Sequence, residues 1–289
     1  MIFLRIVDNK LYSIGEVDKL GFNYSEGLRI PDEYIDRQRF TIMRTAFGIG
    51  DWGIISSMPR LLKKKYPKCV VYVPSKKLIK KLFNVDTDIV TTVFKNNPYI
   101  DSFKDYIIGE IFHDHYRIYD NNNVDEPLLE QMLKFWQFEE SEYKDSQPEI
   151  YWSEKEKRIG DNIIKQYVGD KEFGCLLVSD RFGTQKGKID DATLNREARG
   201  ISKFLKENDL PYFYWTYKPL KETPFGFING ILDMRNIDLR IQLYIKSRAK
   251  LNIGNQCGTN HLVARYSNVY EFQRQFPLGS NFVRGENYL

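Results

Sequence analysis

The stretch FTIMRTAFGIGDWGIISSMPRLLKKKYP, residues 40–67, constrains the fold more than any other part of the chain. A short β-rich run at 40–44 leads into Gly48-Ile49-Gly50, a tight turn of the kind glycine makes without steric cost. Ile54, Ile55, Met58, Leu61 and Leu62 then recur at helical spacing, which predicts one helix from about 52 to 66, closed by Pro67. Strand, glycine turn and helix in succession are the opening of a βαβ unit, and hence of a parallel sheet. Asp51 stands at the mouth of that helix, near the positive end of its dipole. A carboxylate there is either a helix cap or a positioned base.

The remainder repeats the alternation. Residues 69–73 read as a buried strand, 75–83 as a short basic helix, 89–94 as a strand, 115–119 as a strand and 126–136 as a helix. The segment EESEYKDSQPE, 139–149, is polar and ends in proline, and marks the boundary between two domains, 1–140 and 141–289. The second half opens with Ser153-x-x-Glu156, a capping box, before a helix to about 167. A core strand at 175–179, a polar glycine loop at 180–188, a helix at 193–207, a strand at 212–216, a helix at 238–248, a strand at 251–253 and a helix from 258 complete it. The expected fold class is α/β, with two doubly wound, Rossmann-like parallel-sheet domains facing a cleft. Residues 1–39 precede the first anchor. Within them 3–6 and 11–13 flank Asp8-Asn9-Lys10 as an added N-terminal β-hairpin, there to cover a sheet edge or to contact an acceptor.

With 289 residues the chain is long enough for two domains. Its 42% hydrophobic and 15% aromatic content supports real cores. No apolar run approaches the ~18 residues of a membrane span. The N-terminus has no signal-peptide core, so a transmembrane segment is not expected, although peripheral membrane contact is compatible with the chain. A net charge of +4, with both signs interspersed, gives no ground for a nucleic-acid partner. Cys69, Cys175 and Cys257 are an odd set without metal-ligand spacing, which fits a reduced, cytoplasmic compartment.

The run GIGDWGIISSMPRLLKKKYPKCVVYVP, followed by NNPYID at 96–101, resembles the opening of the bacterial heptosyltransferases, the family 9 glycosyltransferases of GT-B fold. A second stretch, LRIQLYIKSRAKLNIGNQCGTNHLVA at 239–264, is similar to the family's helix, strand and D-[ST]-G-x-x-H-L-A-A turn. The two matches keep their order about two hundred residues apart. The resemblance spans roughly 40–265 and implies an inverting, metal-independent transferase that uses no cofactor. It implies a nucleotide-diphosphate sugar donor held by the second domain and a glycan or glycolipid acceptor held by the first.

Carried over residue by residue, the resemblance makes Asp51 the general base that takes a proton from the acceptor hydroxyl, with Gly50 and Trp52 beside it on the acceptor side and Trp52 facing the cleft. On the local sequence alone the plainer reading is an N-cap. The loop 254–261 (GNQCGTNH) would hold the donor diphosphate through Gly258, Thr259 and His261; its plain reading is a strand-to-helix turn with a packed histidine. Gln256-Cys257 departs from the family's Asp-Ser/Thr and gives up one hydroxyl donor. In the loop 183–188, Thr184 with Lys186 or Lys188 would neutralise the departing diphosphate; alternatively it is a solvated basic loop. Glu222, after the strand at 212–216, would hold the nucleoside. Asp86-Thr87-Asp88 reads as an acidic turn and His113-Asp114-His115 as a polar turn or exposed strand end, so no metal site is expected. Two further readings keep the fold: a non-catalytic protein that binds nucleotide-sugars or glycans, with Asp51 only a cap, and a nucleotide-sugar epimerase.

Overall fold

The structure is a computed structural model that describes residues 5–7, 10–12, 39–44, 47–107, 110–113, 130, 133, 138–143, 146–179, 181–182, 186–188, 191–255 and 257–272, with backbone alone for 5–12, 110–113, 181–188, 208 and 272. The chain forms two compact units, residues 1–151 and 152–289.

In the first unit, β1 (Arg5–Val7) and β2 (Lys10–Tyr12) pair antiparallel, with Ile6 opposite Leu11, giving the hairpin expected from the sequence. It is a separate two-stranded sheet. The main sheet has four parallel strands, β3 (Arg39–Met43), β4 (Val70–Pro74), β5 (Ser102–Lys104) and β6 (Glu110–His113), in spatial order β5-β4-β3-β6. The strand expected at 115–119 and most of the helix expected at 126–136 lie outside the described residues; Glu130 and Leu133 are helical and buried.

Two local expectations for this unit are corrected. The helix expected from 52 to 66 is two helices, α1 (Ile49–Ile54) and α2 (Met58–Lys65). Pro59 has no N–H to bond the Ile55 carbonyl, which accepts instead from Met58 at 3.1 Å. The break also has a use. The Ser56 hydroxyl donates to the Gly53 carbonyl and accepts from the Glu149 N–H at 2.7 Å, while Glu149 pairs with Arg60 at 2.6 Å and accepts from Tyr151 at 2.8 Å. The segment before Trp152 is thereby fastened to the first unit. Second, Ile89–Phe94 is a helix, here α4, following α3 (Lys76–Phe83). Its β-branched run has strand propensity, but Val90, Val93 and Phe94 fall on one buried helical face, and packing outweighs propensity. The NPYID run is structural: the Asp101 carboxylate accepts from the Val71 N–H and from Lys63, each at 2.7 Å, and ties the start of β4 down.

In the second unit, α6 (Glu154–Tyr167) follows α5 (Glu140–Tyr143) of the first, and starts at the Ser153–Glu156 capping box. Then come β7 (Gly174–Val178), β8 (Arg181–Phe182), β9 (Lys186–Lys188), α7 (Asp191–Asn208), β10 (Tyr212–Thr216), β11 (Gly230–Asp233), α8 (Leu239–Arg248), β12 (Leu251–Asn255), α9 (Gly258–Val263) and β13 (Asn268–Phe272). Five parallel strands run in the order β11-β10-β7-β12-β13. The strands alternate between two cores. Leu176, Tyr212, Leu251 and Ile253 join Leu194, Ile201 and Leu205 of α7, whereas Cys175 and Phe213 join Ile241 and Ile245 of α8. Helices therefore cover both faces, as a parallel sheet requires. The strands β11 and β13 carried too little periodic signal to be read in sequence.

Buried Arg240 of α8 pairs with Glu156 of α6 at 2.6 Å, and Trp152 donates to the Arg240 carbonyl at 3.0 Å. Burial raises the Glu156 carboxyl, but Arg240 and the Ser153 N–H and O–H outweigh it and hold the group at about 2, against an ordinary 4.5. A carboxyl lowered on folding contributes stability that is present above pH 4.5 and lost as pH falls towards 2. Urea unfolding of the wild-type protein followed from neutral pH to about pH 2.5 will show this loss. Glu156→Gln leaves Arg240 buried without its anion; it will be less stable at neutral pH by about 3 kcal/mol and will show a flatter acid dependence.

Candidate functional site

Both sheets reverse direction once. In the first unit β3, β4 and β5 run to one side and β6 lies on the other side of β3. In the second, β7, β10 and β11 run to one side and β12 and β13 lie on the other. At such a switch the connections leave the carboxyl ends of neighbouring strands on opposite faces, and a crevice opens between them, where ligands of open α/β sheets bind. Asp51 lies in α1, the helix that follows β3. Lys186 and Lys188 follow β7, on β9, and Cys257 follows β12, with Gly258 and Thr259 opening α9. These described residues thus follow the strands at which the winding of each sheet reverses.

Asp51 is the third residue of α1. Its Oδ2 accepts from the Gly48 N–H at 2.9 Å, which satisfies a free amide of the helix start. Arg44, at the end of β3 and 0% exposed, donates to the Asp51 carbonyl at 2.6 Å and stands 3.4 Å from Oδ1. The carboxylate, 30% exposed in its side chain, is thus fixed from two sides and open on another. A Cβ on Gly48 would meet Asp51 Oδ2 at 2.5 Å, so a side chain there would displace the carboxylate from its present position. Gly50 lies in α1, half-buried. Trp52 does not face a cleft. It is 0% exposed and meets Phe94 edge-on at 6.2 Å, because position 52 turns to the buried face that α1 packs against α4.

In the second unit the two loops are joined at their roots. A Cβ on Gly254 would meet the Leu177 carbonyl at 2.3 Å, so β7 and β12 approach closely only with glycine there. One residue on, the Asn255 Oδ1 accepts from the Ser179 N–H at 2.7 Å. Thr259, half-buried at the start of α9, lies 3.2 Å from Cys257 Sγ. Lys246 of α8 donates to Thr259 Oγ1 at 3.0 Å and Asn260 Oδ1 at 2.6 Å. Gly258 is the first residue of α9. His261 is 2% exposed, with its ring packed inside the fold, which is the plain reading of that residue. The polar loop expected at 180–188 contains a hairpin, with β8 and β9 antiparallel; Lys186 and Lys188 lie on β9, and Thr184 lies outside the described residues. Glu222 closes the 3-10 turn Leu220–Glu222 after β10 and is exposed. Asp86 and Asp88 both pair with Lys76, at 2.8 and 3.2 Å, which accounts for them as a surface turn. Of the His113-Asp114-His115 run, the last two lie outside the described residues. Arg44, Lys246 and Asn255 were missed in sequence. Each sits inside a strand or helix pattern, where nothing distinguishes it from a surface charge or amide.

The two roles of Asp51 separate in a stability measurement. Asparagine retains an oxygen for the Gly48 N–H, whereas alanine removes that acceptor and takes the Asp51 carboxylate away from buried Arg44. Asp51→Ala will therefore lower the unfolding free energy by about 2–4 kcal/mol, and Asp51→Asn by less than about half of that, as read from urea titrations.

No protein-family model matches the sequence, and no curated protein matches it. Solved structures do match. A family 9 glycosyl transferase from Veillonella parvula superposes with a TM-score of 0.60 at 10% identity, covering 89% of this chain and 86% of that one. The iron-containing dodecameric glycosyltransferase TibC from enterotoxigenic E. coli gives 0.48 at 11% identity, over 88% of this chain and 62% of that one. The ADP-heptose LPS heptosyltransferase II of E. coli gives 0.41 at 12%, over 87% and 92%. The superposition on the Veillonella parvula protein shows that the chain shares the GT-B fold of that family 9 glycosyl transferase.

Proposed function

We propose that the protein is a glycosyltransferase that moves a sugar from a nucleotide-diphosphate sugar to a hydroxyl on a glycan or glycolipid acceptor. The observation that carries this reading is the coincidence of three things. The fold is that of a family 9 glycosyl transferase, the two stretches that resemble the family include the segments that follow switch-point strands, and Asp51 is a fixed, partly open carboxylate in the helix after β3. The reaction is inverting. Asp51 takes the proton of the acceptor hydroxyl as its oxygen attacks the anomeric carbon from the side opposite the diphosphate. The bond from that carbon to the diphosphate oxygen breaks, and the nucleoside diphosphate leaves with the electron pair. Thr184, Lys186 or Lys188, Gly258 and Thr259 hold the diphosphate and meet its growing charge, His261 supports the loop from inside, and Glu222 serves the nucleoside. In this reading the charge is met by side chains and backbone N–H groups without a metal, and the enzyme works in the cytoplasm. Among the described residues no helix is long and apolar enough to cross a membrane.

A second reading is favoured by two observations. Asp51 is engaged by Gly48 and Arg44 as a cap would be, and Cys257 stands where the family has a hydroxyl. A non-catalytic protein that keeps the fold would show both features. Thermal-shift measurements with ADP, GDP, UDP and CDP, each with and without Mn²⁺, separate the readings. A ligand that binds only the folded state adds about 2.7 kcal/mol at a hundredfold excess over Kd. The enzyme reading predicts a metal-independent shift with one nucleotide. It further predicts that Asp51→Asn lowers transfer from the matching nucleotide-sugar by about 10²-fold or more, while that nucleotide still shifts the variant as it does the wild type. Near-normal transfer by the variant contradicts the assignment of Asp51, and no shift with any nucleotide contradicts the donor site.

A further inference from the structure

The inner face of α8 is built from Ile241, Leu243, Tyr244 and Ile245, and in the same buried surface stands Lys246, 3% exposed. Both acceptors of its Nζ, Asn260 Oδ1 and Thr259 Oγ1, are neutral. Among the described residues no carboxylate stands within ion-pair distance of it. An ammonium taken out of water without an anion costs several kcal/mol, and an aliphatic side chain of similar length would pack in this face without that cost. The neighbouring cation Arg240, equally buried, has its carboxylate in Glu156. Lys246 differs from it in having neutral oxygens alone.

The consequence for Thr259 follows from hydrogen-bond capacity. A hydroxyl has one proton and two lone pairs. With Lys246 donating to Oγ1, the Thr259 proton is left to be given elsewhere. The nearest partner is Cys257 Sγ at 3.2 Å, a weak acceptor that a phosphate oxygen would displace. Asn260 is set in the same way. Its Oδ1 is taken by Lys246, and its Nδ2 donates to the Asn255 carbonyl at 3.3 Å, while Asn255 in turn holds Ser179 at the root of the other loop. Lys246 thereby anchors both sides of the second unit's switch point.

We propose that Lys246 is a positioning residue for the donor diphosphate, fixing the Thr259 hydroxyl as a donor and placing a positive charge behind it where Cys257 supplies no strong donor of its own. This rests on the reading of the loops after β7 and β12 as the diphosphate site.

The test uses inorganic pyrophosphate and the four nucleoside diphosphates as ligands of the full chain, with calorimetric affinities and circular dichroism as the check on folding. Lys246→Met removes the charge and keeps the length. Thr259→Val keeps the lysine and removes the hydroxyl it acts through. Each variant will lose at least about tenfold in pyrophosphate affinity, equivalent to about 1.4 kcal/mol. The double variant will lose less than the two single losses combined, because the part of the lysine's effect that runs through the Thr259 hydroxyl is already lost in Thr259→Val. Affinity for the uncharged nucleoside of the preferred base will change by less than about twofold, which a merely structural role would not spare. Should Lys246→Met fail to fold, Thr259→Val decides alone. Wild-type pyrophosphate affinity in both folded variants overturns the role of Lys246 and leaves the donor site standing. A wild-type protein that binds neither pyrophosphate nor any nucleoside diphosphate overturns the donor site, and the role of Lys246 with it.

Discussion

The second unit depends on the close approach of the β7 and β12 backbones. Parallel strands that the chain reaches by crossovers on opposite sides must be brought together across a gap in the winding, and here that junction tolerates no side chain at Gly254, whose Cβ would strike the Leu177 carbonyl. The pairing continues to Asn255, which reaches over and holds Ser179. Everything proposed for the second unit hangs from this junction, because both loops leave the sheet within two residues of it. The first unit solves the same problem differently. There Arg44, at the end of the central strand, reaches forward to the start of α1 and holds Asp51 by its carbonyl and its carboxylate.

How much was legible in the sequence depended on whether the deciding force was local. Strand 212–216, the Ser153 capping box and the hairpin at 5–12 are settled by alternation, hydrogen-bonding side chains and turn residues near one another in the chain, and they were read correctly. The segment 89–94 was misread because its β-branched residues speak for a strand, while the buried face that makes it a helix is completed by α1, some forty residues away. The split between α1 and α2 was foreshadowed by Pro59, whose effect on the Ile55 carbonyl outweighs an otherwise continuous apolar stripe. Trp52 was placed on the acceptor side by its neighbour Asp51, but adjacent helix positions diverge by roughly a hundred degrees, and the second of them points into the core.

The candidate site shows the same division. Glycines and a carboxylate at strand ends could be picked out because they recur in a recognisable spacing. The residues that hold them could not. Arg44 reads as one more strand residue, and Lys246 as one more cation in a helix that also carries Arg240 and Arg248. Only tertiary packing reveals that Lys246 is buried against two neutral oxygens while Arg240 meets Glu156. The proposal for Lys246 rests on this buried charge and on the Thr259 hydroxyl that it meets. It also gives the departure at Cys257 a physical context, since the loop's remaining hydroxyl is the one the lysine touches.

The proposed function requires that the switch point of the second unit hold a nucleoside diphosphate. A crystal structure of the protein with whichever nucleoside diphosphate stabilises it most, carrying sulfur-substituted phosphate to place the diphosphate by anomalous scattering, tests this. The diphosphate is expected between the segments that follow β7 and β12, with an oxygen in hydrogen-bond reach of the Thr259 hydroxyl. A diphosphate bound elsewhere on the chain, with the Thr259 hydroxyl still turned to Cys257, would contradict it.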